Sequence, residues 1–179
     1  MKNHIAFRPL ELTDISLMHQ WFNTPSVQTF YSLRTWTEEE VLEKLKPYIL
    51  REKLVSGLII LLNNEPIGYL QHYNVIDYPW PNQAFSQDII ENAVGMDLFI
   101  GDPKLIGQGL GQVIITEFLN KYVWPKYRYC VVDPDIHNLA AINCYKKLGF
   151  KEHQLIDIAD AMNHPVRLQL MVANREISL

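Results

Sequence analysis

The feature that most constrains this chain lies near its middle. An apolar segment, Ala93 to Ile100, runs into a glycine-rich loop at Gly101 to Gly109 and then into a helical pattern from about Gly109 to Tyr122, with Val113, Ile114 and Phe118 inward. A further strand follows at Tyr127 to Val132. This is a β-α-β crossover with glycines at the strand-to-helix join, where α/β folds place phosphate-bearing groups. Glycines at 107, 109 and 111 let backbone approach an anion closely and aim successive N–H groups at it. The helix adds the positive end of its dipole. No Gly-Lys-Ser/Thr follows, so this is not a Walker loop, and Gln112 breaks a G-x-G-x-x-G reading. Taken alone, the loop fits a plain turn into a helix equally well.

The remaining elements surround that crossover. Ile5 to Leu10 reads as a strand. Thr13 or Asp14 then caps a helix with Ile15, Met18, Trp21 and Phe22 on its apolar face, stopped at Asn23-Thr24-Pro25. Thr37 and Glu40 form a capping box ahead of a helix carrying Val41, Leu42, Leu45, Tyr48 and Ile49. Ser56 to Leu62 and Ile67 to Tyr73 form a hairpin across the turn Asn63-Asn64-Glu65-Pro66. An aromatic and proline-rich loop runs from Asn74 to about Gln87. Asn138 caps a helix to Leu148 with Ala141, Cys144, Tyr145 and Leu148 on one side, and Gly149 is a good C′ residue. Phe150 to Ile158 and Val166 to Ala173 are two closing strands joined by a turn at 160–165. The order is β-α-α-β-β-β-α-β-α-β-β, a mixed α/β class.

Length and charge narrow the function. At 179 residues with 48% hydrophobic content, one domain buries a sizeable core unaided. The net charge of −4 argues against a general nucleic-acid binder but suits a cationic small molecule. Cys130 and Cys144 make neither a disulfide framework nor a thiolate metal site, and the six histidines show no metal spacing. The start lacks an apolar signal region, and the longest apolar run, Leu58 to Leu62, is far shorter than a membrane span. The expectation is a cytoplasmic, metal-independent protein with no membrane partner, either monomer or homodimer.

Behind the loop comes Asn138-x-x-Ala141-x-x-x-Tyr145-x-x-x-Gly149-Phe150. With the glycine loop and the element order, this resembles the GNAT acetyltransferase superfamily across nearly the whole chain. The resemblance implies a single domain over 1–179, built on a twisted, mostly antiparallel sheet with one parallel crossover and flanking helices. It implies acetyl-CoA as co-substrate. Its pyrophosphate would be held at Gly107, Gln108, Gly109, Leu110, Gly111 and Gln112, with Asn138 also on the cofactor side. The backbone of Leu98, Phe99 and Ile100 would pair with the pantetheine arm, on a strand that commonly splays from its neighbour. The common pattern Gln/Arg-x-x-Gly-x-Gly/Ala begins here with Ile106, so one side-chain contact is lost while the backbone cradle is kept.

Glu65-Pro66-Ile67-Gly68-Tyr69-Leu70-Gln71, Gly95-Met96-Asp97 and Asp133-Pro134 look further like aminoglycoside 6′-N-acetyltransferases. That closer resemblance implies Asp97 near the acyl-transfer centre, Tyr145 near the CoA sulfur and Asp133 on the acceptor. The residues carry their own argument. An ammonium must lose a proton before it attacks a thioester. Asp97 places a carboxylate in an apolar strand, which is costly unless paired or at a cleft. Tyr145, on an apolar helix side, is either a core tyrosine or a proton donor to the departing thiolate. From Tyr73 to Pro103 there is no Lys or Arg, while Asp77, Asp88, Glu91, Asp97 and Asp102 are present. Asp88, Glu91 and Asp102 read as solvated loop charges. Asp77 and Asp133 suit a polycationic acceptor, with Tyr78 and Trp80 as rings to cover sugar faces; Trp21, Tyr31, Trp36, Tyr78 and Trp80 are candidates to line the cleft, and most of them fit packing equally well. His72 ends its strand on the acceptor side. Cys144 reads as a small hydrophobe rather than a nucleophile. The expected reaction is direct acetyl transfer to an aminoglycoside 6′-amine, conferring resistance. The alternatives are a polyamine, a siderophore hydroxylamine, a protein amine, or a non-catalytic acetyl-CoA sensor.

Overall fold

A computed structural model of the chain describes residues 4–175. The strands are β1 (Ile5–Pro9), β2 (Val55–Leu62), β3 (Glu65–Asn74), β4 (Ala93–Ile100), β5 (Tyr129–Val132), β6 (Lys151–Ala159) and β7 (Pro165–Asn174). They form one seven-stranded sheet in the order β1-β2-β3-β4-β5-β7-β6. The β1–β2, β5–β7 and β6–β7 pairs are antiparallel, and β4–β5 is parallel. The helices are α1 (Ile15–Phe22), α2 (Pro25–Val27), α3 (Glu38–Ile49), α4 (Gln87–Asn92), α5 (Leu110–Phe118) and α6 (Leu139–Lys147). The parallel pair is joined through α5, as the glycine-marked join predicts. Its register matches Ala93, Val94 and Gly95 with Tyr129, Cys130 and Val131, and β4 continues to Ile100. The class is mixed α/β, with a mostly antiparallel sheet.

Two compact units divide the chain. The first holds residues up to His72 together with Asp97–Leu110; the second holds Tyr73–Met96 and the chain from Gly111 onward.

In the first unit, α1 buries Ile15, Met18, Trp21 and Phe22, the face its periodicity predicts. They pack with Val41 and Leu45 of α3 and with Leu10, Ile59, Tyr69 and Phe99. The capping box is present. Thr37 Oγ1 accepts from Glu40 N at 3.2 Å, and Glu40 Oε2 accepts from Thr37 N at 2.8 Å. The Arg34 guanidinium, then the Thr37 N–H, draws the Glu40 carboxyl down to about 2.

The start of α1 differs from expectation. A 3₁₀ turn at Leu12–Asp14 precedes it, and Asp14 does not cap α1 by a side-chain bond. Its carboxylate instead accepts two guanidinium bonds from Arg8 at 2.7 Å and one from Glu11 N at 2.9 Å. After the predicted stop at Asn23, Pro25 opens α2 and a π-helical turn, Gln28–Ser32, that the sequence reading missed.

In the second unit, Val75, Trp80, Phe85, Ala93, Val131, Ile156, Leu168 and Leu170 form the core cluster. Helix α5 buries Ile114, Ile115 and Phe118, while Val113 is 39% exposed, so its inward face is rotated from the expected one. The last part of the predicted helix is a π-helical turn, Leu119–Val123. On α6, Ile142 and Tyr145 are buried, whereas Ala141, Cys144 and Leu148 are half-buried. Gly149 takes φ +86° at C′, where a side chain would be strained. Among the described residues, no helix is long and apolar enough to cross a membrane.

Candidate active site

The first unit holds a carboxylate and a loop. Asp97 is half-buried on β4, next to buried Met96. Its Oδ2 accepts a bond from Gln71 Nε2 at 2.8 Å. Gln71 Oε1 in turn accepts from the Tyr69 hydroxyl at 3.3 Å. Tyr69 and Gln71 lie two apart on β3, hence on one face of the strand. Burial pushes the Tyr69 phenol well above its ordinary range, and Tyr48 and Asp97 add to that. Burial lowers the Lys44 ammonium on α3; the charge of Asp97 opposes the shift and Lys53 reinforces it. Asp97 thus belongs to a polar group set in an apolar strand, able to orient an ammonium or take a proton from it. The sequence reading gives Lys44 no notice, and it names Tyr69 and Gln71 only as part of the resemblance, with no role beside Asp97. The available signal was the polar Gln71 two positions after Tyr69, in phase with an apolar strand.

The loop is built as its glycines require. Gly107 has φ +79° and Gly109 φ +77°, with nothing within 4 Å of where a Cβ would stand. Backbone conformation, not crowding, reserves these positions for glycine. Gly107, Gln108 and Gly109 are exposed. Asp102 Oδ1 accepts from Lys104 N at 2.9 Å, and Gln108 Nε2 donates to Lys104 O at 2.7 Å. The loop is therefore braced by its own side chains, which commits the Gln108 amide, while Gly107 and Gly109 stay exposed. Leu98 and Ile100 are half-buried, and Phe99 buries its ring. Trp21 is 7% exposed, meets Phe99 edge-on at 6.0 Å, and fills the space a Cβ on Gly101 would need. The indole assigned to the acceptor by sequence is spent on packing.

The second unit carries the other groups. Gly111 opens the first turn of α5, and a Cβ there would lie 3.4 Å from Cys144 Sγ on α6. Gln112 is half-buried beside it. Asn138 Oδ1 accepts from Ala141 N at 3.2 Å, so this side chain caps α6. Tyr145 is 8% exposed and packs on Phe150 with ring centroids 5.3 Å apart. Burial raises the Cys144 thiol, with Lys147 opposing, which is the wrong direction for an activated nucleophile.

Asp133, at the end of β5, accepts from Trp80 Nε1 through Oδ2 at 2.7 Å. Asp77 accepts from Asn74 Nδ2 at 2.9 Å, and Tyr78 stands T-shaped to Tyr73 at 5.7 Å. Three carboxylates expected to be solvated have structural work. Asp88 accepts from Arg128, Tyr129 and Asn92 at 2.9, 2.6 and 3.0 Å, Glu91 accepts from Gln87 at 2.7 Å, and Asp102 caps its turn. His72 lies inside β3, two residues before its end.

A cleft of about 550 Å³ in this unit is lined by Thr116, Leu119, Asn120, Trp124, Leu148 and Gly149 together with 173–175, none of which the sequence singled out as a site residue. Among the described residues, no cluster of three or more His, Cys, Asp or Glu side chains could hold a metal ion.

Known proteins resemble this chain in sequence and fold. The aminoglycoside N(6′)-acetyltransferase type 1 of Klebsiella pneumoniae is 26% identical over 167 residues, covering 87% of this chain and 78% of that protein. The crystal structure of aminoglycoside acetyltransferase AAC(6′)-Ib in complex with coenzyme A and kanamycin superposes with a TM-score of 0.78 at 25% identity, covering 96% of this chain and 95% of that one. The spermidine N-acetyltransferase from Vibrio cholerae, in complex with CoA and spermine, shares the fold with a TM-score of 0.73 at 14% identity, covering 95% of each chain. The family model of the acetyltransferase (GNAT) domain matches residues 11–158, which takes in β4, the glycine loop, α5 and α6, and the chain belongs to the GNAT acetyltransferases.

Proposed function

We propose that this enzyme transfers the acetyl group of acetyl-CoA to the 6′-amine of an aminoglycoside, in one direct step within a ternary complex, and so confers resistance. The observation that carries the reading is Asp97, a carboxylate held by Gln71 within a segment, Tyr73 to Pro103, that contains no Lys or Arg. A polycationic acceptor fits such equipment; Asp77 and Asp133 supply further charge and the exposed Tyr78 a ring face, while Trp80, 9% exposed, backs Asp133 from the core. The relatives whose names specify aminoglycoside 6′-acetylation support the same acceptor. The family match spans residues of both compact units, which supports one catalytic domain. Two free cysteines suit the cytoplasm as its setting.

Acetyl-CoA brings the activated acyl group as a thioester. The open glycine backbone at Gly107 to Gly111 and the first turn of α5, with Gln112, hold its pyrophosphate by N–H donation. The backbone of Leu98 to Ile100 receives the pantetheine arm, and Asn138 supports that side by capping α6. Asp97 binds the acceptor ammonium and takes its proton, directly or through water, freeing the nitrogen lone pair for the acyl carbon. As the carbon–sulfur bond breaks and sulfur keeps the electron pair, the Tyr145 phenol donates a proton to it, and the second proton of the attacking nitrogen returns through water to the phenolate. The product amide has lost its charge, which weakens binding to RNA.

The test is release of CoA thiol with kanamycin, with paromomycin (a hydroxyl at the 6′ position) and with spermidine. Turnover with kanamycin alone is expected. Turnover with spermidine alone moves the acceptor to a polyamine, and silence with all three despite acetyl-CoA binding points to an unrelated acceptor or a non-catalytic sensor. Tyr145→Phe separates proton donation from packing, because it removes only the hydroxyl; an unchanged kcat assigns Tyr145 to the core.

A further inference from the structure

Strand β6 carries an irregularity. Glu152 pairs with Met171 and Gln154 with Leu170, so two steps along β6 match one along β7 and His153 is the extra residue of a β-bulge. In a regular strand, adjacent side chains point to opposite faces. A bulge bends the strand and re-aims them. Here both side chains reach the same distant segment. Gln154 Oε1 accepts from Ala84 N at 2.7 Å, and its Nε2 donates to Asn82 O at 2.9 Å. His153 stacks on Phe85 at 4.6 Å, with Nε2 3.3 Å from Ala84 O. Gln169 Nε2 holds the Gln154 carbonyl at 3.2 Å.

The tethered segment is the one that bears Tyr78 and Trp80. Phe85 meets Trp80 at 6.1 Å, and Trp80 is hydrogen-bonded to Asp133. Its beginning is tied separately, Tyr127 donating to Asn74 Oδ1 at 2.7 Å. Bonds at Asn74 and at residues 82–84 bracket the stretch that carries Tyr78 and the buried Trp80. Release at Ala84 would let the Trp80–Asp133 bond open and shut.

We propose that Gln154, aimed by the bulge at His153, is a positioning residue that latches the 74–92 insert and thereby sets acceptor affinity without touching the acceptor. This rests on the aminoglycoside reading for its substrate. Gln154→Ala removes both loop bonds. The KM for kanamycin rises about tenfold, the scale of a lost hydrogen-bonded pair, while kcat and acetyl-CoA affinity stay within about twofold. Gln154→Glu keeps an acceptor for Ala84 N but cannot donate to Asn82 O, so its KM falls between the two. Amide hydrogen exchange at Ala84 and Phe85 speeds up in Gln154→Ala whatever the acceptor is. That readout separates failure of the latch from failure of the aminoglycoside reading. Unchanged exchange at Ala84 in a folded Gln154→Ala protein overturns the proposal. So does a kanamycin KM that stays put, or one that rises in step with the acetyl-CoA dissociation constant, which marks a general structural loss.

Discussion

Each compact unit gathers aromatic side chains, and the two hold them by different means. In the first, the rings stand on regular elements. Phe99 on β4 meets Trp21 and Phe22 of α1 at 6.0 and 6.1 Å, Tyr69 of β3 at 5.8 Å, and Tyr31 at 4.7 Å. Edge-on packing of large buried rings is directional enough to lock itself. In the second unit, Tyr78, Trp80 and Phe85 lie on an irregular insert; Trp80 and Phe85 are buried in the core cluster, and polar bonds to distant residues fix the insert around them: Trp80 to Asp133, Ala84 to Gln154 and Tyr127 to Asn74. A ring cluster held by burial resists loss of any one polar group. A loop held by a few hydrogen bonds keeps the fold when one is lost but gives up its geometry.

The largest expected effect tests the first arrangement. Phe99→Ala leaves a cavity under four aromatic neighbours and costs about 4 kcal/mol in denaturant unfolding. Trp80→Phe loses the bond to Asp133 and part of the buried indole volume, for about 2 kcal/mol, and shows also as a raised acceptor KM. Similar stability losses in the two variants would erase the distinction between the units.

Asp97→Asn comes next. The amide preserves shape but cannot take the proton, so kcat falls about 100-fold while acetyl-CoA binding, by titration, is unchanged. Near-normal turnover would remove Asp97 from the chemistry and leave Gln71 holding a structural carboxylate.

Asp14→Asn is a purely structural counterpart in the same unit. Burial alone would raise the Asp14 carboxyl, but the Arg8 guanidinium and the Glu11 N–H outweigh it and hold the group below the usual carboxylate range. The folded pKa lies below the unfolded value of about 3.9, so the pair's contribution is present above that value and is lost as pH falls through the folded one. Arg8 is about a third exposed, which reduces the cost of the variant to about 2 kcal/mol at pH 7. Unfolding curves of the two proteins should converge as pH drops below about 4. A difference independent of pH would mean that packing, not charge, gives Asp14 its role.

The smallest effect is Thr37→Ala, which removes the α3 cap and costs about 1 kcal/mol by thermal unfolding. It should leave kcat and both Michaelis constants alone. A change in acceptor KM would show that α3, with Lys44, is coupled to Asp97 more tightly than its packing implies.

Much of this was legible because it is local. Strand β4 has the limits its apolar run predicts, the Thr37–Glu40 box is formed, and Asn63 and Asn64 both take positive φ at the hairpin turn. The Gln87–Asn92 helix was hidden at the end of a proline-rich loop, and its signal is one Ser86 cap and six residues. Val113 was misplaced because Ile114 and Ile115 both satisfy the apolar pattern and only packing chooses between faces. Trp21 looked like a cleft residue by its type, although its helical period had already put it in the core.

What the sequence determined by itself was therefore periodicity, caps and the glycines that must take left-handed backbone, since each follows from residues within a few positions of one another. The partners of the polar groups were decided in three dimensions. Asp97 meets Gln71 across 26 residues, Asp133 meets Trp80 across 53, and Gln154 meets Ala84 across 70. Such pairs depend on strand order, on register and on one extra residue in β6. A hydrogen bond needs its partners within about 3 Å, a tolerance that no local pattern encodes and only the assembled sheet supplies.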